Sequence, residues 1–206
     1  MSIIQPRIYL ASQSPRRREL LKQVGISFEV LLLRSDPRRT VDVDETPHAD
    51  ELPEDYVKRI CGDKARAGWG ALEFRSLPSF LVLAADTTVT VDGKILGKPR
   101  DREEAAAMLR QLSGRQHQVL SAVAAAFEER IEIRLSTTSV TFAPLSEERI
   151  HRYLLINEGH DKAGAYGIQG HAGAFVQHIE GSYSGVMGLP LYETVELLRA
   201  FGYPAP

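Results

Sequence analysis

Residues 80–85 read Phe-Leu-Val-Leu-Ala-Ala, an unbroken apolar run that meets Asp86-Thr87-Thr88 directly. A strand without polar alternation has no face to give to water, so it belongs inside a sheet covered on both sides. The run is far too short to cross a bilayer. Helical patterns occur on both sides of it in the chain, and they supply the covering layers. The class expected is therefore α/β.

The remaining elements follow from punctuation. Ile8–Ala11 reads as a strand, and Arg16–Val24 carries Leu20, Leu21 and Val24 on one helical face. Ser14 suits the N-cap, Pro15 the first helical position and Gly25 the stop. Residues 34–53, rich in Asp, Pro, Thr and Glu, read as loop, and Pro53 opens a helix to about Ala67. Asp92-Gly93 between Thr88–Val91 and Lys94–Leu96 marks a hairpin. Asp101 caps a helix through Leu112, with Glu104 at the capping-box position and Gly114 past its end. Two long β-type stretches follow, His117–Phe127 and Ile131–Phe142. Ser146 then caps a helix from Glu147 to about Ile156. A glycine-rich loop spans 159–173, Ala174–Ile179 reads as a strand, and a second glycine-rich loop leads to a last helix from Pro190 to near Gly202. A single domain over 1–206 is expected.

Charge and cysteine usage exclude several classes. Across 206 residues, 25 Lys and Arg face 27 Asp and Glu, for a net charge of −2. Phosphate-backbone affinity needs a positive field, so no nucleic-acid partner is expected. One cysteine, Cys61, gives neither a disulfide framework nor a Cys-built zinc site. The six histidines never recur at i, i+4, and no P-loop or nucleophile-elbow motif is present. The first residues lack the pattern of a signal peptide. A cytoplasmic protein with no membrane partner is expected.

Four places can carry chemistry. Ser12, Ser14, Arg16 and Arg17 lie at a strand-to-helix turn, where free N–H groups and the helix dipole already favour an anion. Arginines in a first turn oppose that dipole, which makes sense if phosphate binds there; a solvated basic face is the alternative. Asp86 ends the buried strand, where open α/β sheets place their ligands. It can act as general base or hold a divalent cation, or simply bond the adjacent backbone. Lys98 can reach a phosphate or lie free on the surface. In Lys162–Gly170, three glycines let backbone approach a ligand, and Gln169 can both donate to and accept from a base edge. The same glutamine can equally tie down its own loop.

Six blocks then carry a resemblance. LASQSPRRRELL (10–21), DKARAG (63–68), AADTTVTVDGKILGKPRD (84–101), MLRQLSGRQHQV (108–119), KAGAYGIQG (162–170) and GSYSGVMGLPLYET (181–194) resemble, in order and spacing, the Maf family of nucleoside triphosphate pyrophosphatases. The resemblance implies a mixed twisted sheet with flanking helices, two lobes around a cleft like the inosine triphosphate pyrophosphatases, and a homodimer. It implies cleavage of a nucleoside triphosphate to the monophosphate and pyrophosphate with a divalent cation, Mg²⁺ or Mn²⁺. Asp86 is then the catalytic proton acceptor, and Ser12, Arg16, Arg17, Lys64 and Lys98 hold the triphosphate. Asp44, in VDVDET, matches an acidic position associated with the metal, which Asp86 can share. Arg16, Thr87 and Gln169 match the positions that mark a dTTP/UTP branch, acting also on modified pyrimidine nucleotides. That branch implies exclusion of non-standard nucleotides and a link to arrest of cell division. The alternatives are a 7-methyl-GTP pyrophosphatase and a non-catalytic nucleotide-binding regulator of septum formation. His171 and Ala172, directly after the Gln169 loop, match no role.

Overall fold

The computed structural model describes residues 7–34 and 42–206. Residues 35–41, part of the loop expected over 34–53, lie outside the described residues. The central run becomes β3 (Leu81–Val91), longer than its apolar part because it continues through Asp86 into the hairpin with β4 (Lys94–Leu96). On one edge, β3 pairs in parallel with β1 (Ile8–Leu10), which pairs in parallel with β2 (Phe28–Val30). On the other edge it pairs antiparallel with β5 (Gln116–Phe127), followed by β6 (Arg130–Phe142) and β7 (Val176–Glu180). The order β2-β1-β3-β5-β6-β7, with β4 beside β3, gives one mixed seven-stranded sheet.

Burial on both faces follows from the alternation along β3. Val82 and Ala84 pack against α2 (Pro53–Phe74) through Val57, Cys61, Ala65 and Leu72. Leu81, Leu83 and Ala85 pack on the opposite face, with α1 (Pro15–Gln23), α3 (Arg102–Leu112), α4 (Glu147–Ile156) and α6 (Leu191–Ala200). The small residues of β5, Ala122 through Ala126, are divided between the two cores. No helix among the described residues is long and apolar enough to cross a membrane.

Capping matches the pattern at α3 and α4. Asp101 accepts the Glu104 N–H at 2.8 Å, and Ser146 accepts the Arg149 N–H at 3.2 Å. Ser14 differs. It occupies the N-cap of α1 but makes no side-chain cap bond, so the first turn of that helix keeps its donors outside any Ser14 cap. Helix α2 runs seven residues past the expected end at Ala67. Gly68 and Gly70 look like helix breakers in sequence. Gly68, however, faces the sheet where there is no room for a side chain, since a Cβ there would stand 2.7 Å from Val82 Cγ1. The second glycine-rich loop also contains a short helix, α5 (Tyr183–Met187), capped by Ser182 on the Gly185 N–H at 3.0 Å.

Candidate active site

Strands β1 and β4 share one edge of β3 but do not meet. The first pairs with Leu81–Leu83 and the second with Val89–Val91, so residues 84–88 face no strand on that edge among the described residues. Charged and polar side chains from α1, α2 and β3 converge on this recess. Its residues alternate, so Asp86 faces the α2 side and Thr87 the opposite side.

Asp86 is nine-tenths buried, and its Oδ1 lies 2.7 Å from Lys64 Nζ, which projects from α2. The same ammonium pairs with Glu45 Oε1 at 2.7 Å. Burial opposes the charge on Lys64, but the two carboxylates outweigh it and raise its pKa. Glu45 is held below the usual carboxylate range. Burial again works against this, and Lys64 overcomes it with help from Lys98 and Arg17. Arg17 is thus within electrostatic reach of both carboxylates, and Lys98, exposed just after β4, within reach of Glu45. Tyr56 donates to the Glu45 carbonyl at 3.0 Å. Its pKa is raised to about 12 by burial and by the charges of Asp86 and Glu45.

From the other side comes the turn between β1 and α1. The Ser12 hydroxyl oxygen accepts the Ser14 N–H at 3.2 Å and an Arg17 Nη1–H at 3.1 Å. Arg17 Nε donates to the Gly188 carbonyl at 2.7 Å, which ties α1 to the loop after α5. Burial lowers the pKa of Arg17 while the nearby Asp86 charge resists. Arg16 stands half-buried on the same turn. Its field reaches Asp161, which is held below the ordinary carboxylate range: burial works against this, and Lys162 and Arg16 outweigh it. Arg17, Lys64 and Lys98 thus gather around two carboxylates, Asp86 and Glu45, with Arg16 and Asp161 beside them, a cationic excess that suits a polyanion.

Thr87 Oγ1 lies 2.9 Å from Ser121 Oγ. The Ser121 hydroxyl has one hydrogen, and it goes to the Gly185 carbonyl at 2.6 Å. Thr87 is therefore the donor to Ser121, and toward the recess it can only accept. The loop at 162–170 closes this side, with the Gly164 N–H on the Gly97 carbonyl at 3.1 Å, next to Lys98. Gln169 is exposed at the loop's far end, and no described residue engages its side chain.

The fold thus gathers Ser12, Arg17, Lys64, Asp86 and Lys98 around one recess, with Arg16 and Thr87 at its rim. Asp44 is not brought to Lys64. It is exposed and accepts the Thr46 N–H at 2.9 Å, while its neighbour Glu45 makes the contact. Adjacent acids in a loop cannot be told apart by spacing, because no regular period fixes which one points inward. Ser121 and Gly188 were also missed. Both act through partners distant in sequence, and nothing local marks them. Cys61, read as a packed thiol, is buried in α2, and its Sγ meets the Ala84 carbonyl at 3.6 Å.

A family model described as Maf-like protein matches residues 7–201. A dTTP/UTP pyrophosphatase of Aromatoleum aromaticum is 55% identical over 205 residues, covering 99% of this chain and 100% of the relative. One from Nitrosomonas europaea is 55% identical over 195 residues, 95% of this chain and 94% of the relative. One from Chromobacterium violaceum is 48% identical over 206 residues and covers both chains completely.

Proposed function

Because the chain belongs to the Maf-like protein family, we propose that it hydrolyses dTTP and UTP to the nucleoside monophosphate and pyrophosphate. The observation that carries this reading is a nearly buried Asp86 paired with Lys64 and facing Arg17 at an open strand edge. A carboxylate beside bound phosphates is a liability for binding alone, since like charges repel. It is useful where a proton must be removed.

In the reaction, a water oxygen bonds to the α-phosphorus while the bridging oxygen to the β-phosphorus leaves with pyrophosphate. Asp86 takes the proton of the attacking water. Lys64, Lys98 and Arg17 stabilise the charge that grows on the departing pyrophosphate, which in phosphoryl transfer is the larger part of catalysis. Lys64 also holds the Asp86 oxygen in place before substrate arrives. Arg16 and the uncapped first turn of α1 supply further anion donors.

A divalent cation, Mg²⁺ or Mn²⁺, belongs to the same proposal. No cluster of three or more acidic, Cys or His residues forms among the described residues. Mg²⁺, however, is commonly held by one or two carboxylates completed by substrate phosphates and water. Asp86 and Glu45 meet that need, while Asp44 is exposed beside Glu45 with its Oδ1 on the Thr46 N–H. When bound, the cation neutralises phosphate charge. Selection of thymine and uracil fits an acceptor-only Thr87, because N3–H of those bases donates and N3 of cytosine does not. Assembly as a homodimer is also proposed, and sedimentation of the purified chain tests it.

The experiment is pyrophosphate release from dTTP, UTP, dCTP and 7-methyl-GTP with Mg²⁺ or Mn²⁺, by wild type and Asp86→Asn. Release from dTTP and UTP should fall by about 10²-fold or more in the variant. Undiminished release by Asp86→Asn refutes its role, and preference for 7-methyl-GTP refutes the pyrimidine assignment.

A further inference from the structure

The two halves of the 162–171 loop are anchored differently. Its first half is held by the core, with Ala165 and Tyr166 buried against the sheet. Its second half, Gly167 to His171, carries Gln169; Ile168 also reaches the core, but the turn itself is built around a single carboxylate, Glu158, just beyond the end of α4. Glu158 Oε2 accepts the His171 N–H at 2.9 Å and meets His171 Nδ1 at 2.9 Å. An ionised carboxylate only accepts, so Nδ1 carries the hydrogen in that contact.

Oε1 accepts the Tyr153 hydroxyl at 3.4 Å, and that phenol oxygen accepts the Gly167 N–H at 3.3 Å. Lys162 Nζ donates to the Glu158 carbonyl, which fixes the start of the loop to the same residue. Two glycines give the carboxylate its room. A Cβ on Gly170 would collide with it, and one on Gly167 would stand 3.2 Å from Oε1. Burial opposes the charge, yet the N–H groups of His171 and Ala172 hold the carboxyl below its usual range.

We propose that Glu158 is a positioning residue for base selection: its carboxylate is the template on which the Gly167–His171 turn folds, and so it sets where the Gln169 amide is presented. His171, which matched no role in sequence, is the loop's second tie to that template. The proposal rests on the pyrimidine reading above for its substrate. Glu158 spends its carboxylate on Tyr153 and His171, so on this reading its loss should spare the chemical step and disturb recognition.

The test uses the full chain as wild type, Glu158→Ala, Glu158→Gln and Gly170→Ala. Amide hydrogen exchange without nucleotide should be about tenfold faster at Gly167 and His171 in Glu158→Ala, the loss of a charge-assisted bond. Exchange in β3 and β5 should be unchanged, which reports that the variant has folded. Gln keeps an acceptor for the His171 N–H and should restore slow exchange there. Gly170→Ala should reproduce the Glu158→Ala effect by displacing the carboxylate. In turnover, Glu158→Ala should raise KM for dTTP and UTP about tenfold, with kcat held within about threefold, and erode preference over dCTP about tenfold.

Unchanged exchange at Gly167 and His171 overturns the template. A fall in kcat with KM and base preference intact overturns the role in selection. If the wild type releases pyrophosphate from neither dTTP nor UTP, the proposed function fails instead, and the exchange measurement still decides whether Glu158 is the template.

Discussion

Two glycines on one helix make opposite predictions. In α2, Gly68 and Gly70 are both helical, and alanine at an exposed helical glycine gains about 1 kcal/mol by restricting the unfolded chain. At Gly70, which is exposed, a Cβ meets nothing within 4 Å, so Gly70→Ala should collect that gain. At Gly68 the added methyl stands 2.7 Å from Val82 Cγ1 and 3.2 Å from Ala11 Cβ. Val82 is fully buried and β-branched, so it has no spare rotamer to retreat into. Overpacking of this kind costs about 1–3 kcal/mol. Set against the same gain, the net for Gly68→Ala is a loss of about 1 kcal/mol, and the two variants should differ by roughly 2 kcal/mol. For a chain of this length that is about 4–8 °C in melting temperature, with urea midpoints moving in opposite directions. The strain also has a functional address. Lys64 sits one turn before Gly68, and Ala11 adjoins Ser12, so pushing α2 off the sheet should weaken turnover in Gly68→Ala and leave Gly70→Ala active. Equal stabilities for the two variants would refute the claim that the sheet leaves no room for a side chain at Gly68.

Other outcomes follow from single contacts. Ser121→Ala releases the Thr87 hydroxyl to donate as well as accept, so preference for dTTP over dCTP should fall about tenfold, and Ser121→Thr should retain it; steady-state kinetics on the two nucleotides decides. Removal of divalent cations with EDTA should abolish pyrophosphate release, and added Mg²⁺ or Mn²⁺ should restore it; full activity in EDTA would sink the cation's role. His117 is buried against Phe142 and Tyr166, and burial lowers its pKa from 6.5 to about 4. The unfolded chain therefore takes up that proton first: stability is intact above about pH 6.5, falls as pH drops from there toward about 4, and levels off below. Between pH 7 and 5 this contributes a loss of ~1–2 kcal/mol that His117→Gln should lack, read from urea midpoints.

The sequence carried most of this fold because the decisive elements announce themselves locally. The apolar run before Asp86, the Asp92-Gly93 turn and the caps at Asp101 and Ser146 are all short-range chemistry. Strand β2 was missed because three residues with a glutamate in the middle, Phe28–Val30, have no alternation of their own. Pairing with β1 makes them a strand. Helix α5 was read as loop because its five residues include Gly185, and its cap at Ser182 lies within a glycine-rich stretch. The gathering of Ser12, Arg16 and Arg17 at one strand-to-helix turn was legible from charge placed against a helix dipole. The Glu45 contact with Lys64 was not, since it depends on how an irregular loop returns to the sheet.

The gap along β3 has one more consequence. An unpaired strand edge invites another polypeptide to add on by backbone pairing. Here the open stretch is residues 84–88, about 17 Å long at the usual rise per residue, and strands stand at both of its ends. An incoming strand would have to end inside that recess rather than run through it, with Lys64 and Arg17 crowding the entrance. The interruption that leaves room for a small ligand thus also guards this inner strand edge against self-association.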